Sequence, residues 1–138
     1  MRFAKVPEIL YQWQDLPDRA SRKLDNYSAN KFYGVKASYF AKWWTTHHNE
    51  RQIWIWGYGK SVFNKVKPLF ANGIDIEGYI DIQKHPMSTR KVSSIKSIQL
   101  NNSKFYLIYL GDRQGKVAIL NFFNKIKMYP GRDYLFMC

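Results

Sequence analysis

Residues 53–57 read IWIWG, a run that is apolar at every position up to its glycine. A strand with one face in water alternates apolar and polar residues, whereas a strand buried on both faces is apolar throughout, as in parallel sheets covered by helices. A helix-compatible segment follows directly, from about residue 60 to 71. The stretch therefore predicts a buried strand, a tight turn and a helix, the opening unit of a parallel α/β fold.

The same rhythm continues to the end of the chain. In residues 74–81, IDIEGYID, apolar and polar residues alternate as they do in a strand. Residues 105–111, FYLIYLG, predict a second buried strand. Residues 133–138, DYLFMC, predict a final strand. Residues 93–100, SSIKSIQL, fit a short helix or a strand and loop. This order predicts the α/β fold class, with a Rossmann-like three-layer half built on a parallel sheet over residues 51–138.

The two predicted helices carry details that the structure can check. The helix at 60–71 contains Pro68, which removes an amide donor and predicts a kink or an early end. Its predicted apolar positions are 62, 63, 66 and 70. The second helix, at 113–127, is expected to bury Val117, Leu120, Phe123 and Ile126 on one face.

Residues 1–50 do not follow this rhythm. They hold three of the five tryptophans, Trp13, Trp43 and Trp44, with a helix predicted from about residue 30 to 44. We expect a mostly helical, aromatic-rich arm that packs on the sheet domain or on a missing neighbour. Exposed tryptophans there would form an adhesive surface, so a homo-oligomer is one candidate assembly.

The chain holds a single cysteine, Cys138, which excludes an internal disulfide and fits a reducing cytoplasm. No apolar run approaches the roughly 20 residues that span a bilayer, and the N-terminus has no secretory core. His47, His48 and His85 show no metal-ligand spacing, so no metal site is predicted. These patterns predict a cytoplasmic location, with contact to a membrane only at its surface.

The formal net charge is +12, and +9 of it lies in residues 51–138. Such a field attracts an acidic membrane surface, a phosphorylated ligand or a nucleic acid. Nucleic acid is the least favoured partner, because the aromatic residues sit within apolar strands and helix faces that predict core packing. Solvated lysines that keep an aromatic-rich domain in solution are the plain alternative.

The turn after the first strand resembles a dinucleotide-binding turn in part. Gly57 and Gly59 match the first two glycines of that motif, while Val62 stands where the third is expected. Asp81, at the end of the second strand, is placed to contact ribose hydroxyls. Lys60 and the helix N-terminus favour a phosphate. A nucleotide or a dinucleotide is therefore the candidate cofactor.

The alternative is that this turn is only a bend. Tyr58 lies between the glycines and can cover the turn, and Ser61 completes the segment GYGKS without a recognisable catalytic partner. A second candidate binding loop follows the strand at 105–111, with Gly111, Asp112 and Arg113. Asp112 is equally a helix N-cap.

Short motifs follow one another in the arm: a tryptophan, a proline and arginine, Ser-Arg, a tyrosine, and a predicted helix with a Lys-Ala pair. The residues, in order, are Trp13, Pro17, Arg19, Ser21, Arg22, Tyr27, Lys36 and Ala37. This order resembles the segment that ends the catalytic region of bacterial family 2 glycosyltransferases.

The remainder is similar to the Rossmann-type appendix that follows that segment, and to the N-terminal domain of some sugar acyltransferases. The matching residues are Trp56, Gly57 and Gly59, then 78–81, then Gly111 and Arg113, then 131–134. The Asp-x-Asp motif that places a nucleotide-sugar and a metal in those transferases does not occur here. The resemblance implies a non-catalytic C-terminal module of surface-polysaccharide synthesis, either a fragment or a free-standing remnant, that docks on a glycosyltransferase catalytic domain or another protein.

Overall fold

A computed structural model describes residues 29–47, 50–83, 88–98 and 103–138. In that part of the chain a long helix precedes five strands and two further helices. The elements are α1 (Ala29–His47), β1 (Gln52–Trp56), α2 (Lys60–Ala71), β2 (Gly78–Asp81), β3 (Val92–Ser94) with a 3₁₀ turn (Ile95–Ser97), β4 (Lys104–Ile108), α3 (Arg113–Lys125) and β5 (Tyr134–Phe136).

The strands form one sheet in the order β3-β2-β1-β4-β5, and every neighbouring pair is parallel. After β1 the chain adds β2 and then β3 on one side of the sheet. It then returns to the other side of β1, where it adds β4 and then β5. Because crossovers between parallel strands share one hand, α2 and α3 are expected on opposite faces of the sheet. The two core clusters agree, since Val66 and Leu69 of α2 belong to one and Ile119 and Phe123 of α3 to the other. The predicted α/β, Rossmann-like fold is confirmed.

Alternate residues of β1 enter the two clusters. Ile53 and Ile55 face α1 and α2, whereas Trp54 and Trp56 face α3, and all four are buried. Because both faces of this strand are buried against apolar side chains, each of its positions favours an apolar residue. This explains why the run at 53–57 shows no alternation.

The helix predicted near residues 30–44 is α1, and it packs on the sheet beside α2. Phe40 and Trp44 lie against Phe105 of β4, with ring centroids 6.3 and 5.0 Å away. Trp44 is buried and Trp43 half-buried, so these two residues do not provide the exposed tryptophans that an adhesive surface would require. Trp13 lies outside the described residues.

Three local predictions can be compared with the structure. The strand expected over 74–81 begins only at Gly78, because the stretch before it is the loop that returns from α2 to the sheet. The helix α2 continues past Pro68 to Ala71, so it does not end early. For residues 93–100 the sequence left a short helix or a strand and loop open; the structure has the edge strand β3, which pairs with β2, and then the 3₁₀ turn.

The predicted apolar faces of the helices are partly wrong. In α3, Val117 is 51% exposed and Leu120 38% exposed, while Ile119 and Phe123 are buried. In α2, Leu69 is buried in place of Phe70. Apolar residues occur around much of each helix, so the sequence pattern alone did not identify the face that meets the sheet.

The GRDY segment at 131–134 ties strands together at the amino edge of the sheet. Asp133 is 2% exposed, and its carboxylate accepts hydrogen bonds from the Tyr129 amide at 2.8 Å and from Arg132 Nε at 2.9 Å. Arg51, just before β1, lies 3.7 Å from the same carboxylate and donates to the carbonyl oxygens of Lys104 and Arg132. These residues therefore have a structural role.

Candidate functional site

The carboxyl ends of β1 and β4 form the topological switch point of the sheet. Trp56 pairs with Ile108 on one side and with Ile80 on the other, so the chain segments after these three strands emerge side by side. In open parallel sheets, ligands bind in the crevice at this point, where successive connections leave in opposite directions. The structure thus brings both predicted loops and Asp81 to the same edge.

Gly57 is required by the fold itself. Its φ of 119° is a backbone conformation that favours glycine, and a Cβ atom there would lie 3.1 Å from Val62 Cγ2. Its amide donates to the Ile80 carbonyl at 2.9 Å, so it is already used. Val62, which replaces the third motif glycine, fills the space beside Gly57.

Gly59 differs from Gly57 because nothing lies within 4 Å of the position a Cβ atom would take. Gly59 has φ 119° and ψ 171° and is the N-cap residue of α2. Since it has no side chain, it makes no side-chain hydrogen bond to the amides of the first turn. Lys60 and Ser61, the first two residues of α2, are both exposed there. A helix start of this kind can receive an anion through its amides and its dipole.

Tyr58 is turned toward the α2 face of the sheet. Its ring packs edge-on against Phe63 and Tyr79, with centroids 5.0 and 5.8 Å away, and its hydroxyl lies 2.6 Å from Ser88 Oγ. The Arg90 guanidinium lies over the Phe63 ring at 4.0 Å. These contacts fix Tyr58 at one side of the turn.

Burial raises the pKa of the Tyr79 hydroxyl, and nearby Arg90 opposes this rise. The phenol is therefore neutral at ordinary pH. Together with Tyr58, it gives the α2 side of the turn an aromatic wall.

The second predicted loop begins helix α3. Asp112 is its N-cap, and Oδ1 accepts a hydrogen bond from the Gly115 amide at 2.6 Å. A Cβ atom at Gly115 would meet this carboxylate, so a side chain there would displace the cap. A carboxylate already placed at the start of α3 disfavours a second anion there, so an anionic group is better received at α2. Gly111 and Arg113 flank the cap and are exposed.

An apolar pocket of about 220 Å³ opens at the same edge, on the α3 face. Trp56, directly before the glycine turn, lines it, and so does Ile82, directly after Asp81. The other lining residues are Ile95, Leu110, Gly115, Ala118, Ile119 and Phe122. Sequence reasoning missed this pocket because its walls come from five separate chain segments.

Asp81 ends β2 beside the pocket. Its Oδ1 accepts a hydrogen bond from the Ile82 amide at 2.6 Å, and its side chain is half-buried. The carboxylate thus lies at the carboxyl end of β2, one residue before Ile82 of the pocket wall. This is the position that the sequence predicted for a ribose contact.

Tyrosines and the last residues of the chain occupy the α1 side of the edge. Tyr33 of α1 donates to Cys138 Sγ at 3.5 Å, and burial together with this bond raises its pKa to about 12. Lys36 and Lys116 donate to the carbonyl oxygens of Met137 and Cys138 at 3.0 and 2.8 Å. These contacts fix the segment after β5 in place.

Within the ranges that the structure describes, no three His, Cys, Asp or Glu side chains are grouped so as to hold a metal ion. No helix among the described residues has the length and apolar character needed to cross a membrane.

Comparison of the chain with family models, with curated proteins and with solved structures found no match.

Proposed function

We propose that this chain binds a nucleotide or a dinucleotide at the carboxyl edge of its sheet. The observation that carries the proposal is the coincidence of three features at the switch point: the Gly57–Gly59 turn, the start of α2 without a side-chain cap, and the apolar pocket beside Trp56. Each feature suits one part of such a ligand.

The phosphate is assigned to the start of α2. Gly59 leaves space for close approach of an anion, and the exposed Lys60 and Ser61 add a positive charge and a hydroxyl donor. Asp81 is assigned to the ribose hydroxyls, since a carboxylate is a strong acceptor for them.

The pocket is assigned to the base. Its volume of about 220 Å³ is smaller than a drug-sized site of about 300 Å³ or more, so it suits one ring system rather than a whole ligand. The rings of Trp56 and Phe122, with centroids 5.9 Å apart, provide aromatic surface in its wall.

A thermal-shift panel of NAD, NADP, coenzyme A, nucleotides and nucleotide-sugars tests the proposal. A ligand at about 100 times its Kd stabilises the folded state by about 2.7 kcal/mol, which is a clear rise in melting temperature. We expect Gly59→Ala to remove the rise. Gly73→Ala is the matched control, because Gly73 also has a positive φ and open space, but at the other end of α2.

A second variant tests the pocket without touching the turn. Ala118→Leu places a larger side chain in the pocket wall and keeps good helix propensity. A ligand that binds equally well to the wild type, Gly59→Ala and Ala118→Leu would contradict the proposed site. So would the absence of any saturable shift across the panel.

The setting that we propose is a non-catalytic module of a glycosyltransferase-like protein of bacterial surface-polysaccharide synthesis, as the resemblance of the motifs implies.

Docking on a catalytic domain or another protein is the second candidate function. A groove of about 400 Å³ at the amino edge favours it, because Trp44, Arg51 and Asp75 line this groove far from the glycine turn. It offers both an apolar wall and opposite charges to a partner.

Two measurements test this second candidate. Sugar transfer from a nucleotide-sugar by the chain alone would contradict a non-catalytic role. Titration with a family 2 glycosyltransferase catalytic domain is expected to show binding that Asp75→Lys weakens, while unchanged binding of that variant would exclude the groove.

A further inference from the structure

The outward face of α1 carries a stripe of large apolar side chains. Phe32, Val35 and Tyr39 are 56%, 58% and 72% exposed and recur at spacings of three and four residues, so they share one side of the helix. The opposite side holds the buried residues of the same helix, Tyr33, Ala37, Phe40, Ala41 and Trp44. Helix α1 thus has apolar residues on both sides, and only the inner ones have a place in the core.

Positive charge surrounds this stripe. Helices α1 and α2 lie side by side and carry three lysines each, with no aspartate or glutamate in either. Lys42 and Lys67 are exposed on the two helices. By contrast, the acidic residues Asp75 and Glu77 follow α2 at the amino edge, outside this layer.

The stripe belongs to a rigid surface. Phe40 and Trp44 anchor α1 to Phe105 of the sheet, and the Lys65 ammonium lies 5.4 Å from the Tyr33 ring, between the two helices. The exposed side chains are therefore presented on a fixed platform and need no folding step before they contact a partner.

We infer that the outer α1–α2 face docks on an anionic lipid bilayer. Phe32, Val35 and Tyr39 would enter the boundary between head groups and acyl chains, and Lys42 and Lys67 would meet the lipid phosphates. A second copy of this face is a poor partner, because lysines would oppose lysines. The inference goes beyond the nucleotide proposal and is independent of it, since none of these residues lies at the glycine turn.

Helix α3 provides a matched control on the opposite face of the sheet. Val117 and Leu120 are also exposed and α3 is also basic, but its exposed stripe has no aromatic residue. If the chain bound membranes only through its net positive charge, the α3 face and the α1–α2 face would contribute equally. Docking through α1 and α2 involves the α1–α2 face alone.

Sedimentation of the full chain with vesicles tests the inference. Equimolar phosphatidylglycerol and phosphatidylcholine should bind the chain, vesicles of phosphatidylcholine alone should not, and added salt should weaken binding. Each exposed lysine is worth about fivefold in affinity, so Lys42→Gln with Lys67→Gln should weaken binding about 25-fold. Phe32→Ser with Tyr39→Ser should weaken it about tenfold or more, whereas Val117→Ser with Leu120→Ser should match the wild type.

A fluorescent label gives an independent readout. In a Cys138→Ser background, a polarity-sensitive dye on Tyr39→Cys should shift to the blue with anionic vesicles, and the same dye on Leu120→Cys should not. Each of three results would overturn the inference. The chain does not bind anionic vesicles, the α1 variants bind them as well as the wild type does, or the dye shifts to the blue at position 120 in place of position 39. Circular dichroism of each variant confirms that the fold is intact.

Discussion

The buried carboxylate of Asp133 gives the most direct test of how the fold is held together. Asp133→Ala removes the acceptor of the Tyr129 amide at 2.8 Å and of the Arg132 guanidinium at 2.8 and 2.9 Å. It also removes the negative charge that lies 3.7 Å from Arg51. Because Asp133 is 2% exposed, water has little access to replace these partners in the intact fold.

The expected cost follows from the exposure of each partner. A hydrogen bond to a charged acceptor contributes about 1.5–3 kcal/mol, which applies to the Tyr129 amide. Arg51 is 14% exposed at its side chain and loses a counter-charge, although it keeps two carbonyl acceptors. Arg132 is exposed and becomes hydrated instead. Together these effects predict a loss of about 2–4 kcal/mol in the free energy of unfolding.

Urea unfolding followed by tryptophan fluorescence measures this loss. With a slope of about 2 kcal/mol/M, the middle of the usual range for small proteins, the midpoint should fall by about 1–2 M without a change in slope. Arg132→Gln is the control, and we expect it to leave the midpoint nearly unchanged. A loss below about 1 kcal/mol for Asp133→Ala would refute the view that this carboxylate holds the amino edge of the sheet.

Three further predictions concern packing, helix propensity and pH. Gly78→Ala should lower the free energy of unfolding by about 1–3 kcal/mol, because a Cβ atom there would lie 2.7 Å from Trp54 Cζ3 and 2.9 Å from the Lys91 carbonyl oxygen. In Gly34→Ala, within α1, the new Cβ atom meets nothing within 4 Å. This variant should raise the free energy of unfolding by about 0.5–1 kcal/mol in the same urea assay. The pKa of Tyr33 is raised to about 12 from an ordinary value of about 10, so its contribution to stability is complete below pH 10 and is lost as the pH rises through 12. Unfolding midpoints that stay constant over that pH range would contradict this assignment.

Much of the fold could be predicted from local pattern. The unbroken apolar runs at 53–56 and 105–110 identified strands buried on both faces, and α1, α2 and α3 began and ended close to their predicted positions. The pattern did not decide between a short helix and a strand with a loop at 93–100, because the three residues of β3 have little periodicity of their own. It failed for Val117 and Leu120, because an apolar residue on a helix does not reveal which side meets the sheet.

The candidate site shows the same division. Sequence spacing identified the Gly57–Gly59 turn, Asp81 and the loop at 111–113, and the parallel order implied that they share one edge. The pocket was not predictable, since Trp56, Leu110 and Phe122 approach each other only when α3 folds over the sheet. The contact of Tyr58 with Ser88 likewise joins residues 30 positions apart.

By itself, the sequence determined the alternation of strand and helix, the glycine positions of the turn and the net positive charge, because these depend on neighbouring residues or on simple counts. Only the tertiary structure decided how these features are used. It placed lysines and aromatic residues together on the outer α1–α2 face, and it confined Asp133 to the amino edge, away from the candidate site. The physical reason is that burial and charge environment depend on contacts between residues distant in the chain, which appear only when the sheet and its helices pack.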